Sequence, residues 1–371
     1  MVFEERIMSL LDEARRIINE VDSKMAELFL ERMRAAEMVA EYKKEHGLKI
    51  LDAAREEEVI RRNSERIDDA VMREYYISFL KGNMQVSRSY QDRLIGGMKV
   101  AYSGTEGAFA HIATCKQFPS ARKIAYKDFA SAYESVVNGD CDVAMLPIEN
   151  SYNGEVGQVT DLMFFGPLYI NAVTEIAVTQ DLLALPGAKI EDIKSVVSHP
   201  QALGQCNEYL REKGLTQIEY ANTALAAKLV SESNDRTLAA IASEEAAKIF
   251  GLSVLEKNIN SSKNNTTRFA VFSRSENKHK SKEMGVHTIL LFTVRNEAGA
   301  LAKAIEVIGK HGFNMRSLRS RPMKELLWQY YFYVEAEGNI HTDEGKEMMQ
   351  ELENYCDKLR AVGTYTKECN V

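Results

Sequence analysis

Proline and cysteine are scarce: the 371-residue chain has six prolines and five cysteines, and its first 95 residues hold no proline and only two glycines. Without helix breakers that segment is free to build long helices. Cys115, Cys141, Cys206, Cys356 and Cys369 show no paired spacing and no neighbouring histidine cluster. Neither a disulfide framework nor a metal site is expected. A net charge of −7 with no basic block argues against a nucleic-acid partner. No apolar run approaches the roughly 18 residues of a membrane span, and the opening MVFEERIM lacks the charged and apolar regions of a signal peptide. A reduced, cytoplasmic protein is expected, with two or three domains at about 100 to 200 residues each.

What is present begins with an apolar stripe at helical spacing: Ile7, Leu10, Leu11, Ala14, Ile18, Val21, Met25, Leu28, Phe29, Ala36, Val39. At about 100° per residue from Met25, Arg32 falls roughly 20° from the stripe centre and Lys43 almost on it. Buried cations need anions, so these two imply either an acidic ligand or an ion pair. A helix from about Glu4 to His46, stopped by Gly47, would be roughly 60 Å long. The fifty residues after it cannot cover such a helix, so an interlocked helical dimer is expected. Arg15 lies about 80° off the stripe and some 25 Å from Arg32 along the axis, so it can complete a pocket only from a partner chain.

Asp52 and the run Arg55, Glu56, Glu57, Glu58 read as the start of a second helix, and a third carries Ser87 and Gln91 one turn apart. The order Arg15, Arg32, Lys43, Asp52, Arg55, Glu56, Ser87, Gln91 resembles the all-helical chorismate mutase family over about residues 5 to 95. The resemblance implies a concerted rearrangement of chorismate to prephenate, achieved by positioning and electrostatics alone. It implies that the partner's Arg15 and this chain's Arg32 grip two carboxylates, and that Arg55 and Ser87 complete those contacts. Lys43 and Gln91 would donate to the ether oxygen, and Glu56, with the backbone near Asp52, would hold the ring hydroxyl. The bland alternative is an ordinary helical dimer whose Arg32 and Lys43 reach outward to Glu27 or Glu56.

From Gly96-Gly97 to the polar stretch at 274–283, strands and helices alternate. Strands are predicted at 99–102, 142–146, 169–178, 195–198, 238–241 and 267–272, with helices such as 131–137 and 223–231. Motifs gather just past the predicted strand ends: S-G-T-E-G-A-F-A-H at 103–111, P-I-E-N at 147–150, S-H-P-Q at 198–201 and N-N-T-T-R-F at 264–269. Each alone is weak, since Gly104 and Gly107 suit plain turns, His199 and Gln201 suit a helix cap, and Arg268 suits a surface strand. In order, with Gln205-Cys206 after S-H-P-Q, they resemble prephenate dehydratase over about residues 98 to 274. That implies two α/β lobes around a cleft, similar to periplasmic binding proteins, and conversion of prephenate to phenylpyruvate with loss of water and carbon dioxide. Thr267 would donate a hydrogen bond or proton to the leaving hydroxyl. Asn150, Ser198 and Gln205 would orient hydroxyl and carboxylates, Arg268 would partner an anion, and Glu149, His199 and Phe269 would support them. The loop departs from the family at Ala110, where a serine is common.

Residues 286–371 follow a βαββαβ plan, a ferredoxin-like module. Gly299, Ala300 and Leu301 in G-A-L-A, and Arg319, Ser320, Arg321 and Pro322 in R-S-R-P, resemble the ACT regulatory domain, implying phenylalanine bound between paired domains and feedback inhibition. Most relatives carry an acidic residue where Arg319 stands. A purely dimerising module is the alternative. The expectation is therefore a multidomain enzyme with a mutase domain at 1–95, a dehydratase domain at 97–274 and an ACT domain at 286–371. It would need no metal and no cofactor, and would assemble as a homodimer or homotetramer. Two rivals remain at this point: a dehydratase with an inactive helical dimerisation arm, and a non-catalytic ligand sensor. Within the enzyme class the amino analogue arogenate is the competing substrate, and a mutase domain that makes prephenate favours prephenate.

Overall fold

Three helices form from the proline-free segment: α1 (Val2–Glu45), α2 (Ala53–Ser64) and α3 (Ala70–Gly96). The computed structural model describes residues 2–261, 264–276, 285–323 and 329–366, with side chains from residue 10 onward. Alpha1 ends where expected: Lys43 and Lys44 occupy its last turn and Gly47 turns left-handed at φ 62°. Asp52 and Asp69 cap α2 and α3, their carboxylates accepting from the amides of Arg55 and Met72. These helices belong to a compact unit, Met1–Met98, whose buried apolar side chains among the described residues are only Ala36, Ala40 and Met84. Leu10, Leu11, Ile18, Val21, Met25, Leu28 and Phe29 stand exposed along α1. So thin a core cannot hold 98 residues in one chain by itself.

The second compact unit, Lys99–Val371, contains both the α/β lobes and the carboxy-terminal sheet. Lobe one comprises β1 (Lys99–Ser103), α4 (Phe109–Gln117), β2 (Arg122–Tyr126), α5 (Phe129–Val137), β3 (Val143–Asn150), β4 (Gly154–Glu155), α6 (Gly157–Phe165) and β5 (Tyr169–Ala177). Lobe two comprises β6 (Asp181–Ala184), β7 (Ser195–Ser198), α7 (Pro200–Gln205), α8 (Asn207–Glu212), β8 (Thr216–Glu219), α9 (Thr223–Ser233), β9 (Leu238–Ala242), α10 (Glu244–Phe250) and β10 (Ser253–Glu256). The chain then returns to lobe one as β11 (Thr266–Ser273), giving sheets in the order β2-β1-β3-β11-β5 and β10-β6-β9-β7-β8. The two crossings, near Val178 and Asn265, lie side by side: the Val178 amide donates to the Asn265 carbonyl at 2.8 Å. P-I-E-N, expected beyond a strand end, lies inside β3, because β11 and β4 pair with it as far as Asn150.

The last segment is β12 (Val286–Val294), α11 (Ala300–Lys310), β13 (Asn314–Pro322), β14 (Tyr330–Glu337), α12 (Asp343–Leu352) and β15 (Cys356–Thr366). Its sheet order, β13-β14-β12-β15, is that of the ferredoxin-like plan. Alternation along β12 divides its side chains: Leu290 and Phe292 join the core under α11 and α12, while Ile289 and Leu291 join the core of lobe one with Met163, Phe164 and Ile170. The sheet is thus covered on both faces. The polar stretch expected to separate it from the lobes falls largely outside the described residues.

Candidate active sites and regulatory contacts

In the helical unit, α1 and α3 bring four of the expected residues together. Arg32 donates to the Ser87 hydroxyl and to the Asn83 carbonyl at 3.4 Å. Lys43 donates to the Ile50 carbonyl at 2.5 Å and faces the Gln91 side-chain oxygen at 3.5 Å. Ser87 and Gln91 are buried, and partial burial lowers the Arg32 pKa below the ordinary arginine value. Among the described residues both cations therefore meet only neutral oxygens here, whereas the alternative of pairing with Glu27 or Glu56 is not what the side chains do. Glu56 is ion-paired instead with Arg88, a neighbour that the motif did not single out. Asp52 caps α2, and Arg55 is exposed beside Glu58 at 2.6 Å. Arg15 is exposed and lies 3.9 Å from Asp12, so a single chain does not bring it to Arg32.

Between the lobes lies a cavity of about 650 Å³ lined by Asn150, Thr267, His199, Gln201 and Gln205 together with Asn153, Gln180, Asn222 and Asn265. Among the described residues no arginine or lysine appears in its lining. Helices α4 and α6 begin on it without a side-chain cap, at Ala108 and Val156, so free amides with partial positive charge face the space. Asn150 and Thr267 are register partners across β3 and β11. The Asn150 oxygen accepts from the amides of Tyr152 at 3.0 Å and Asn153 at 2.9 Å, which fixes the orientation of the side-chain amide. Its nitrogen donates to the Thr267 hydroxyl oxygen at 3.0 Å and to the Asn265 side-chain oxygen at 2.7 Å. Because Thr267 accepts from Asn150, its own hydrogen is left to donate elsewhere, and the residue lines the cavity.

Two sequence assignments need correction, and two further residues make contacts the sequence did not suggest. Ser198 does not line the cavity: it is fully buried and its hydroxyl donates to the Ile241 carbonyl at 2.6 Å. Arg268 follows Thr267 on a strand, so alternation sends it to the opposite face. There it donates to Glu335 at 2.8 and 2.9 Å, Tyr365 at 2.7 Å and Glu149 at 3.1 Å. Burial alone would raise the Glu335 carboxyl, but Arg268 and the tyrosine hydroxyls override it and hold the pKa at about 2. Arg319 and Arg321, expected among the effector residues, reach into lobe one. Arg319 donates to Glu149 and lies over the Tyr333 ring at 5.5 Å. Arg321 donates to Glu155 at 2.6 Å and Asp161 at 3.1 Å.

Ser320 and Pro322 stay exposed on the edge strand β13, while Gly299, at φ 83°, precedes Ala300 and Leu301 in the first turn of α11 with no side-chain cap. Ala110, where a serine is common, is buried and is not among the residues that line the cavity. Cys206, although next to Gln205, is inert: burial pushes its thiol up to about 12. Gln180 and Asn265 were missed; both sit in crossing segments, and only the second carried a signal, lying within N-N-T-T-R-F.

A cation-bearing helical site with neutral partners, a two-lobed cleft holding a polarised threonine and a covered ferredoxin-like sheet define a multidomain enzyme for small acidic substrates with an attached regulatory module. Residues 14–92 match chorismate mutase type II, 100–277 match prephenate dehydratase and 288–354 match the ACT domain. The bifunctional chorismate mutase/prephenate dehydratase of Aquifex aeolicus is 31% identical over 97% of this chain and 99% of its own. Among solved structures, a prephenate dehydratase from Arthrobacter aurescens in complex with L-Phe has a TM-score of 0.67 at 26% identity, covering 73% of this chain and 90% of that one. A protein described as a novel type of quorum-quenching acylase has a TM-score of 0.68 at 30% identity, covering 73% and 98%. The chain belongs to the bifunctional chorismate mutase/prephenate dehydratase family. It is an enzyme of phenylalanine biosynthesis with both activities on one polypeptide.

Proposed function

We propose that the helical unit houses the mutase, the interlobe cavity the dehydratase and the final sheet the phenylalanine response, with boundaries at 1–95, 97–274 and 286–371. The observation that carries the mutase assignment is the pairing of Arg32 and Lys43 with neutral oxygens alone, which leaves positive charge for a dicarboxylate. Arg32 with the partner's Arg15 grips the carboxylates of chorismate, Arg55 and Ser87 complete those contacts, and Lys43 with Gln91 stabilises the ether oxygen as its bond breaks. Glu56, steadied by Arg88, and the backbone near Asp52 take the ring hydroxyl. The exposed stripe of α1 supports pairing of two copies, and the open edge of β13 offers a second pairing surface, so a dimer or tetramer follows.

In the cleft, amide side chains and the uncapped starts of α4 and α6 receive the carboxylates of prephenate. The bond to the ring carboxylate breaks, releasing carbon dioxide; its electron pair enters the ring, and the ring hydroxyl departs and takes up a proton as water. Thr267 donates to that hydroxyl, and Asn150 and Gln205 position it. An acylase reading asks for a hydroxyl or thiol activated by a base. Thr267 is held by an amide that donates to it, the opposite of activation as a nucleophile. The free thiols of Cys115, Cys141, Cys206 and Cys356 suit a reduced compartment, the cytoplasm.

One assay tests the whole reading: chorismate supplied to the purified chain, with chorismate, prephenate and phenylpyruvate followed together, with and without phenylalanine. Loss of chorismate with formation of phenylpyruvate, suppressed by phenylalanine, is expected. Persistent chorismate with turnover of added prephenate would leave the helices as a scaffold, and absence of saturable inhibition would remove the effector role of the last sheet.

A further inference from the structure

The leaving hydroxyl poses a problem that Thr267 alone does not solve, because an alcohol is a weak acid and a single neutral donor stabilises little charge on a departing oxygen. Asn265 stands two residues before Thr267, on the same side of the chain as it enters β11. It is 4% exposed and lines the cavity of about 650 Å³ as well as a smaller one of about 280 Å³. Its backbone carbonyl is spent on the Val178 amide. Its side-chain oxygen is spent on Asn150, whose own orientation is fixed by two backbone amides. Hydrogen-bond polarity therefore runs one way. The Asn150 nitrogen donates to Asn265, to Thr267 and, at a longer 3.3 Å, to the Thr266 carbonyl, so the groups Asn265 and Thr267 have left to offer are donors: the Asn265 NH₂ and the Thr267 O–H.

We propose that Asn265 is a substrate-contacting residue of the dehydratase, its amide donating a second hydrogen bond, beside that of Thr267, to the ring oxygen that departs. The contact forms no covalent bond and transfers no proton; it lowers the energy of negative charge growing on the oxygen as the carbon–oxygen bond lengthens. Two preorganised donors on one leaving oxygen form the arrangement that stabilises an oxyanion. The proposal rests on the dehydratase reading of the cleft.

Asn265→Asp separates this role from mere support of Asn150. The replacement keeps the shape and the oxygen that accepts from Asn150, but exchanges the donor for a carboxylate oxygen. With prephenate as substrate in the full chain, kcat is expected to fall on the order of 100-fold or more with a smaller change in KM. Relative to wild type at each pH, activity should recover as pH falls and the new carboxyl gains a proton it can donate. Mutase turnover by the same preparation should equal wild type, which checks folding of the chain. A near-normal kcat for Asn265→Asp at neutral pH, with loss in Asn265→Ala, would mean that Asn265 only braces Asn150 and would overturn the proposal. So would a loss that no fall in pH reverses. Thr267→Val serves as the separate control: if it turns over prephenate normally, the dehydratase reading of the cleft fails whatever Asn265 does.

Discussion

The direction of one hydrogen bond decides what Thr267 can do. Because the Asn150 amide donates to its oxygen at 3.0 Å, the threonine keeps its hydrogen free to donate, the role proposed for it in the cavity. Thr267→Val, which keeps shape and β-branching, should lower dehydratase kcat on the order of 100-fold or more and leave mutase turnover unchanged, as separate assays on chorismate and prephenate would show. In the helical site the matching test is Lys43→Met, which keeps the stem and removes the charge beside Gln91. Mutase kcat should fall by a similar factor while prephenate turnover stays at wild-type level. The sequence singles out these two residues because both lie in strictly spaced motifs, and the structure sets Lys43 beside Gln91 and Thr267 on the cavity lining. Ser198 and Arg268 lie in the same motifs and were misassigned. A motif reports that a residue type sits at a position, whereas strand alternation and the nearest buried acceptor, here the Ile241 carbonyl, decide which way it points.

Beta11 is an element with two faces and two duties. Thr267 meets the cavity; Arg268 ties the strand to Glu335 of β14, a carboxylate with only 4% of its side chain exposed. The folded Glu335 pKa of about 2 lies below its ordinary 4.5. This contact is therefore fully stabilising above pH 4.5 and is lost as pH falls from there toward 2, a loss of about 3 kcal/mol. Calorimetric melting of the full chain should show the decline in that window. Arg268→Met should show the reverse trend, lower stability at neutral pH from an uncompensated buried carboxylate and relative gain on acidification. Edge strand β13 makes a parallel link through Arg321 to Glu155, which lines the cavity, and the guanidinium packs so closely on Gly157 that a Cβ there would meet it. Arg321→Met should therefore blunt phenylalanine inhibition of the dehydratase while calorimetry still detects phenylalanine binding. The strands with alternating or long apolar runs were legible in the sequence. Short β2, β4, β6, β8 and β10 were not: β4 is only two residues long, and β6 and β10 depend on neighbours far along the chain, such as the pairing of Leu183 with both Val254 and Ala240. The packing of the last sheet onto lobe one was equally invisible, since the same apolar residues would suit a separate module.

At the scale of the whole molecule, the helical unit poses the sharpest question, because one chain leaves both its core and its site unfinished. Among the described residues three small or flexible buried apolar side chains hold it, a long apolar stripe faces outward, and Arg15 lies about 25 Å along α1 from Arg32, with which it is proposed to grip the substrate. A second copy running antiparallel along α1 would bury the stripe and carry its Arg15 to the first copy's Arg32. That geometry makes an arithmetic prediction. Arg15→Ala and Arg32→Ala should each abolish mutase turnover in the pure variant, since every site then lacks one carboxylate clamp. Mixing the two and allowing subunits to exchange should restore activity, because a mixed dimer contains one site with both arginines intact and one with neither. With random exchange of equal amounts, half of the dimers are mixed, and about a quarter of wild-type mutase activity should return. Dehydratase turnover, whose cavity is lined within one chain, should stay constant before and after mixing. Recovery near zero after exchange has been verified by mass would mean that both arginines act from the same chain, and α1 would then have to bend or break between them.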